Sequence, residues 1–251
     1  MQINDGPAVE STTAHRTLKP IASWGHLVGF LAIQVVFLAI GLIDLGPAQS
    51  AGDSATARLL DQYPVTTLVV LYLAMIPIEC ALLVYCLTGV RSRGGNLETL
   101  SGGRWTSWKD IVADLGVALP FWLGLQAVSW IASRVLGPES VDTVGMTPKK
   151  LPEVLAWIAV SITAGVCEEL VYRGYLQQQF LALVRNLPIA ILGQGLVFGL
   201  VHCYQGWKST IVACVIGVLL GVLAAWRRNL RANVIVHAWI DVWEGWLKLA
   251  I

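Results

Sequence analysis

Residues 151–174 read LPEVLAWIAVSITAGVCEELVYRG, and this stretch decides the fold. It is apolar almost without interruption until it reaches two adjacent carboxylates, Glu168 and Glu169, with an arginine at 173. About 20 apolar residues suffice to cross the hydrocarbon core of a bilayer. The run is therefore a membrane helix whose charged end must either reach water or keep ionisable groups inside for a purpose. The whole chain supports the membrane reading: of 251 residues, 56% are hydrophobic and 13% charged, and the mean hydropathy is +0.66. Soluble globular domains do not have this balance.

Working outward, apolar spans lie near 21–43, 65–90, 111–136, 151–172, 187–206, 209–226 and 232–250. The breaks are Gly46-Pro47, the RSRGGN run from Arg91, Gly137-Pro138, Asn186 before Pro188, and Arg227-Arg228-Asn229. The expected fold is all-α, a polytopic transmembrane helical bundle of about seven spans. Residues 1–20 are polar and read as a disordered cytoplasmic tail. The apolar stretch after them is too long for the h-region of a signal peptide. Residues 21–150 then form the N-terminal transmembrane helices and residues 151–251 the core that carries the chemistry.

A net charge of +1 gives no reason to expect nucleic acid as a partner. The five cysteines show no paired spacing, which argues against a disulfide framework or a thiolate zinc site. If the spans alternate, Arg16, Lys19, Arg91, Arg93, Arg104, Lys109, Arg173, Arg185, Arg227, Arg228 and Arg231 fall on one side of the membrane. Arg58, Lys149, Lys150, Lys208 and Lys248 fall on the other. Basic residues gather on the cytoplasmic side, so the N-terminus is expected there. Trp24, Trp105, Trp108, Trp207 and Trp226 stand near span ends, where an interfacial aromatic belt would place them.

An ionisable side chain at membrane depth costs on the order of 2.5–3.5 kcal/mol on insertion scales, so each one is a candidate for function. Glu168, Glu169, His202 and His237 are the positions that no span end excuses. Asp114 and Lys248 lie near span ends, and Glu79, beside Pro77, has no assigned partner. Glu169 and Arg173 stand in the favourable i, i+4 order, so one carboxylate is paired and Glu168 points elsewhere, toward the face of Tyr172. Phe198 and His202, and likewise His237 and Asp241, share helix faces at the same spacing. Arg185 lies seventeen residues from both Glu168 and His202, so an antiparallel hairpin turning there brings the two level. Tyr172 is a candidate partner for Glu168, and Cys167 and Cys203 read as packing.

Taken in order, Glu168-Glu169-x-x-x-Arg173, Phe198-x-x-x-His202 and His237-x-x-x-Asp241 resemble the CPBP family of intramembrane proteases, which includes the CAAX prenyl endopeptidases and bacterial bacteriocin-processing and immunity proteins. The resemblance covers about residues 151–250. It implies hydrolysis of a peptide bond in a membrane-associated protein or peptide, within the lipid bilayer of a bacterial cell. It makes Glu168, with His202, the pair that activates a water. Glu169 and Arg173 would shape the site, while His237 and position 241 would stabilise the oxyanion. Asp241 stands where Asn is more usual, and an ionised Asp accepts hydrogen bonds but donates none. It would orient His237 or ligate a metal instead.

Two chemistries remain open. A metal form would use His202, His237 and Glu168 as ligands of a divalent ion such as zinc. A metal-free form, preferred here, would use Glu168 as general base. The alternative function is a non-enzymatic membrane scaffold or bacteriocin-immunity protein that retains the fold. A proton-coupled transporter is disfavoured, because neither repeat halves nor paired broken helices are evident.

Overall fold

The computed structural model describes residues 19–44, 64–137 and 148–247. Residues 1–18 of the expected tail, Arg58 and Lys248 lie outside the described residues. Among those described there is no β-strand. The elements are α1 (Trp24–Asp44), α2 (Pro64–Arg91), the short α3 (Leu97–Ser101), α4 (Trp108–Leu136) and α5 (Leu151–Glu168). A π-helical segment (Glu169–Leu176) follows, then α6 (Gln177–Val184), α7 (Leu187–Val201), a 3₁₀ turn (Cys203–Gln205), α8 (Trp207–Arg227) and α9 (Arg231–Leu247). Five helical stretches are long and apolar enough to cross a membrane: Trp24–Leu42, Val65–Arg91, Trp108–Leu136, Leu151–Val184 and Trp207–Arg227. The protein is an all-α polytopic membrane bundle.

Helices stand at all seven expected positions, but those at Leu187–Val201 and Arg231–Leu247 are shorter than the five crossing stretches, and two boundaries change. The fourth span does not stop near 172 but runs to Val184 through the π segment. Its glutamines do not end it, because Gln177 and Gln179 find partners inside the protein while Gln178 is exposed. The Gln177 amide donates to Gly221 O, and the Gln179 amide donates to Ala22 O. The fifth span stops at Val201, so His202 is the C-cap of α7 and not an interior helical residue. Asn186 caps the start of α7 by accepting from Ile189 N, and Pro188 sits in the first turn, where its missing N–H costs nothing.

Packing places α5 at the centre, with α2 and α9 against it and α4 behind α9. Two glycines set close approaches. A Cβ on Gly165 of α5 would meet Ala238 N of α9 at 2.8 Å, and one on Gly217 of α8 would meet the Gly195 backbone of α7 at 3.0 Å. The outer faces of the long helices expose Val35, Ile78, Leu123 and Val222, as lipid contact requires. Trp24, Trp105, Trp108, Trp207 and Trp226 are all exposed at or beside helix ends.

Asp114 departs from expectation. It does not reach water at the end of its span but is fully buried. It accepts from Arg227 Nη2 at 2.7 Å and from Trp105 Nε1 at 2.9 Å, and Arg231 Nε lies 2.9 Å away. These contacts tie the start of α4 to the turn between α8 and α9.

Candidate active site

Glu168 and Glu169 straddle the junction at which α5 becomes π-helical. A π turn closes i→i+5 hydrogen bonds, seen here in the Gln177 backbone N–H donating to Tyr172 O, and such turns are frequent at functional sites. All eight residues of the π segment are buried. Nothing in local propensity marks it, so no sequence signal foretold it.

Glu169 is fully buried and saturated with donors. Arg173 Nη1 donates to its Oε1 at 2.7 Å, Asn233 Nδ2 donates to its Oε2 at 3.0 Å, and His237 Nδ1 lies 2.7 Å from Oε1. Arg173 is as deeply buried. It donates its Nη2 to Gly217 O at 3.3 Å and stacks its guanidinium 4.4 Å from the centre of the Phe198 ring. The pair is thus held by three helices besides its own.

Glu168 has a different environment. Its Oε2 is buried and has no hydrogen-bond partner among the described residues. His237 Nε2 stands 3.6 Å from this oxygen and 3.8 Å from Asp241 Oδ2. Because Nδ1 of His237 is turned to the Glu169 carboxylate, an acceptor, that nitrogen carries the hydrogen, and Nε2 is the face presented to Glu168 and Asp241. His202 is oriented in the same way. Its Nδ1 lies 2.7 Å from Phe198 O, a carbonyl that can only accept, so Nδ1 donates and Nε2 remains available. Both imidazoles pack against the Phe198 ring, with centroids 4.7 and 5.9 Å away.

Glu168, His202, His237 and Asp241 all line one cavity of about 400 Å³. Glu169 and Arg173 lie behind its wall and do not face it. Tyr172 is not the partner of Glu168: its hydroxyl donates to Gln34 Oε1 of α1 at 2.8 Å. Cys167 and Cys203 are buried and pack, as expected.

One residue gains a place that sequence spacing could not give it. The Glu79 carboxyl of α2 lies against that of Glu168, and the two share a hydrogen bond when one of them carries a proton. The signal available was the cost of a carboxylate in mid-span, which shows that a partner exists without showing where. Among the described residues no group of three His, Cys, Asp or Glu side chains is placed to hold a metal ion. The Nε2 atoms of both histidines stay available, as a ligand or a proton carrier would need.

The fold and the cluster together define a class: a polytopic helical membrane protein with carboxylates and two oriented imidazoles gathered on one cavity between its helices. Comparison with family models makes this specific, because residues 150–243 match the family described as type II CAAX prenyl endopeptidase Rce1-like. That part of the chain is similar to the CAAX protease family of membrane proteases, and residues 1–149 lie outside the match. Comparisons with curated proteins and with solved structures gave no match.

Proposed function

We propose that the protein is an intramembrane endopeptidase in which Glu168, with His202, makes a water nucleophilic toward a peptide carbonyl. One observation carries the proposal: of two adjacent carboxylates, Glu169 is saturated by three donors while Glu168 keeps a buried, unpartnered oxygen on the cavity wall. An acceptor in that condition is costly, by about 1–3 kcal/mol for an unsatisfied buried group, and the cost is recovered when it takes a proton from a water between it and a substrate.

In this reading Glu168 and His202 Nε2 together hold the water, whose oxygen bonds to the carbonyl carbon as its proton passes to Glu168. His237 Nε2, when protonated, faces the developing oxyanion. The C–N bond then breaks as the proton reaches the leaving amine, with His202 Nε2 placed to take part in that transfer. Asp241 donates nothing when ionised, so it serves to hold the proton on Nε2 of His237, beside which it lies. Glu169 and Arg173 position His237. The substrate is a membrane-associated protein or peptide.

The test uses the purified full chain in liposomes with membrane-anchored peptides of varied sequence, the products being read by mass spectrometry. The wild type is expected to create new termini, and Glu168→Ala and His202→Ala to create none while retaining helical content. Undiminished proteolysis by either variant overturns the reading. A cellular phenotype that survives both substitutions would instead support a non-enzymatic scaffold or immunity protein.

A further inference from the structure

The helices of the bundle share two ends, and their charge differs. At one end Arg91 and Arg93 follow α2, and Arg104 and Lys109 flank the start of α4. Arg185 caps α6, and Arg227 to Arg231 turn α8 into α9. These turns meet: Leu230 N donates to Ser101 O, and Arg231 Nη1 donates to Arg104 O at 2.9 Å. At the other end Gly137 closes α4, Lys149 and Lys150 precede α5, and Lys208 opens α8. The Lys208 ammonium lies 3.7 Å from where a Cβ on Gly137 would stand.

The cavity belongs wholly to the second end. Its wall takes the last turns of α4 (Ser133, Gly137), Pro148, the first turn of α8 (Lys208) and the last turns of α9 (Glu244, Gly245). It reaches inward as far as Glu168 and His237, and no lining residue lies beyond them toward the arginines. That space is filled by the buried side chains of Glu169, Arg173, Gln177, Gln194, Leu220 and Leu223.

We infer that the site is served from the membrane face opposite the arginine-rich turns, and that its substrate is a peptide segment presented on the non-cytoplasmic side. Basic loops mark the cytoplasmic face, and here they mark the sealed end of the shaft. Calling the occupant a substrate rests on the peptidase reading, whereas the sidedness does not. The geometry also sets what an occupant must bring. Glu168 lies seventeen residues along α5 from Leu151, about 25 Å at 1.5 Å per residue, while His237 beside it lies ten residues from the end of α9 at Leu247, about 15 Å. An extended chain rises about 3.3 Å per residue, so roughly four to seven unfolded residues enter before a peptide bond meets Glu168. Met75, Val160 and Ile216 make the shaft apolar, which favours a segment with apolar side chains.

Sidedness is read without turnover. Full-length Ser133→Cys and Arg93→Cys are expressed in cells and treated with a membrane-impermeant maleimide, the unmodified chain and its own five thiols serving as the blank. Thiols in lipid or in a packed core react poorly, because the thiolate is the reactive form. Ser133→Cys is expected to label in intact cells, and Arg93→Cys only after permeabilisation. Lys208→Cys, expected to follow Ser133→Cys, replaces it if that variant does not accumulate. The opposite pattern overturns the inference.

Reporter peptides anchored on either face then read the substrate. Cleavage confined to the non-cytoplasmic reporter supports the assignment, and cleavage confined to the cytoplasmic reporter overturns it. Cleavage of neither, with labelling as expected, overturns the substrate assignment through the peptidase reading and leaves the sidedness standing.

Discussion

Glu168 and Glu169 are chain neighbours with opposite fates, and the difference lies in what faces them. Glu169 is bound by Arg173, Asn233 and His237, whereas Glu168 faces the cavity and pairs with Glu79. Replacing Glu168 with Gln removes the proton acceptor and preserves the shape, so turnover should fall by about 10²–10⁴-fold in a kinetic assay while thermal stability is kept. Arg173→Met has the other signature. It strands a buried carboxylate at a cost of about 3–5 kcal/mol, to be seen as a lowered Tm in detergent. Glu79 acts through Glu168 as a positioning residue. Glu79→Leu should lower kcat with little change in KM, and Glu79→Gln, which can still donate to Glu168, should recover much of the loss. At this scale the sequence was partly legible. The Glu169 and Arg173 pair is local and follows from i, i+4 spacing, but the partner of Glu79 sits on another helix, and the register between two apolar helices leaves no trace in either.

The elements that carry the site are held in register by close backbone approaches. Gly165 lets α5 meet α9, whose residues His237 and Asp241 face the cavity, and Trp157 Nε1 donates to Asp241 O at 2.9 Å one helix turn beyond. Gly165→Val would drive a side chain into the α9 backbone. It should cost about 1–3 kcal/mol by overpacking, measured as a shift in Tm, and should lower activity by moving His237 from Glu168. The helices themselves were readable because lipid imposes long apolar runs. The π segment was not, since a change from i→i+4 to i→i+5 bonding is made by tertiary packing around Glu169 and Arg173 and not by composition. The C-cap position of His202 was equally hidden, because the chain stays apolar up to the 3₁₀ turn.

In the whole molecule, helices before the family match complete a site whose motifs all lie within it. α2 supplies Glu79, Tyr72 and Met75, α4 supplies Ser129 and Ser133 of the cavity wall, and α1 supplies Gln34 to Tyr172. Residues 148–251 expressed alone should therefore insert in a membrane yet show no peptide cleavage, despite carrying every motif; a cleavage assay on that fragment checks this. The central claim is that a water, made nucleophilic by Glu168, attacks the peptide carbonyl. Its most direct test is a single turnover in oxygen-18 water, followed by mass spectrometry of both the product and the protein. One oxygen-18 atom in every newly formed carboxyl terminus, with none in the Glu168 side chain, is the predicted result. Product free of oxygen-18, with the heavy atom in Glu168, would mean that the carboxylate itself attacks, and would contradict the account.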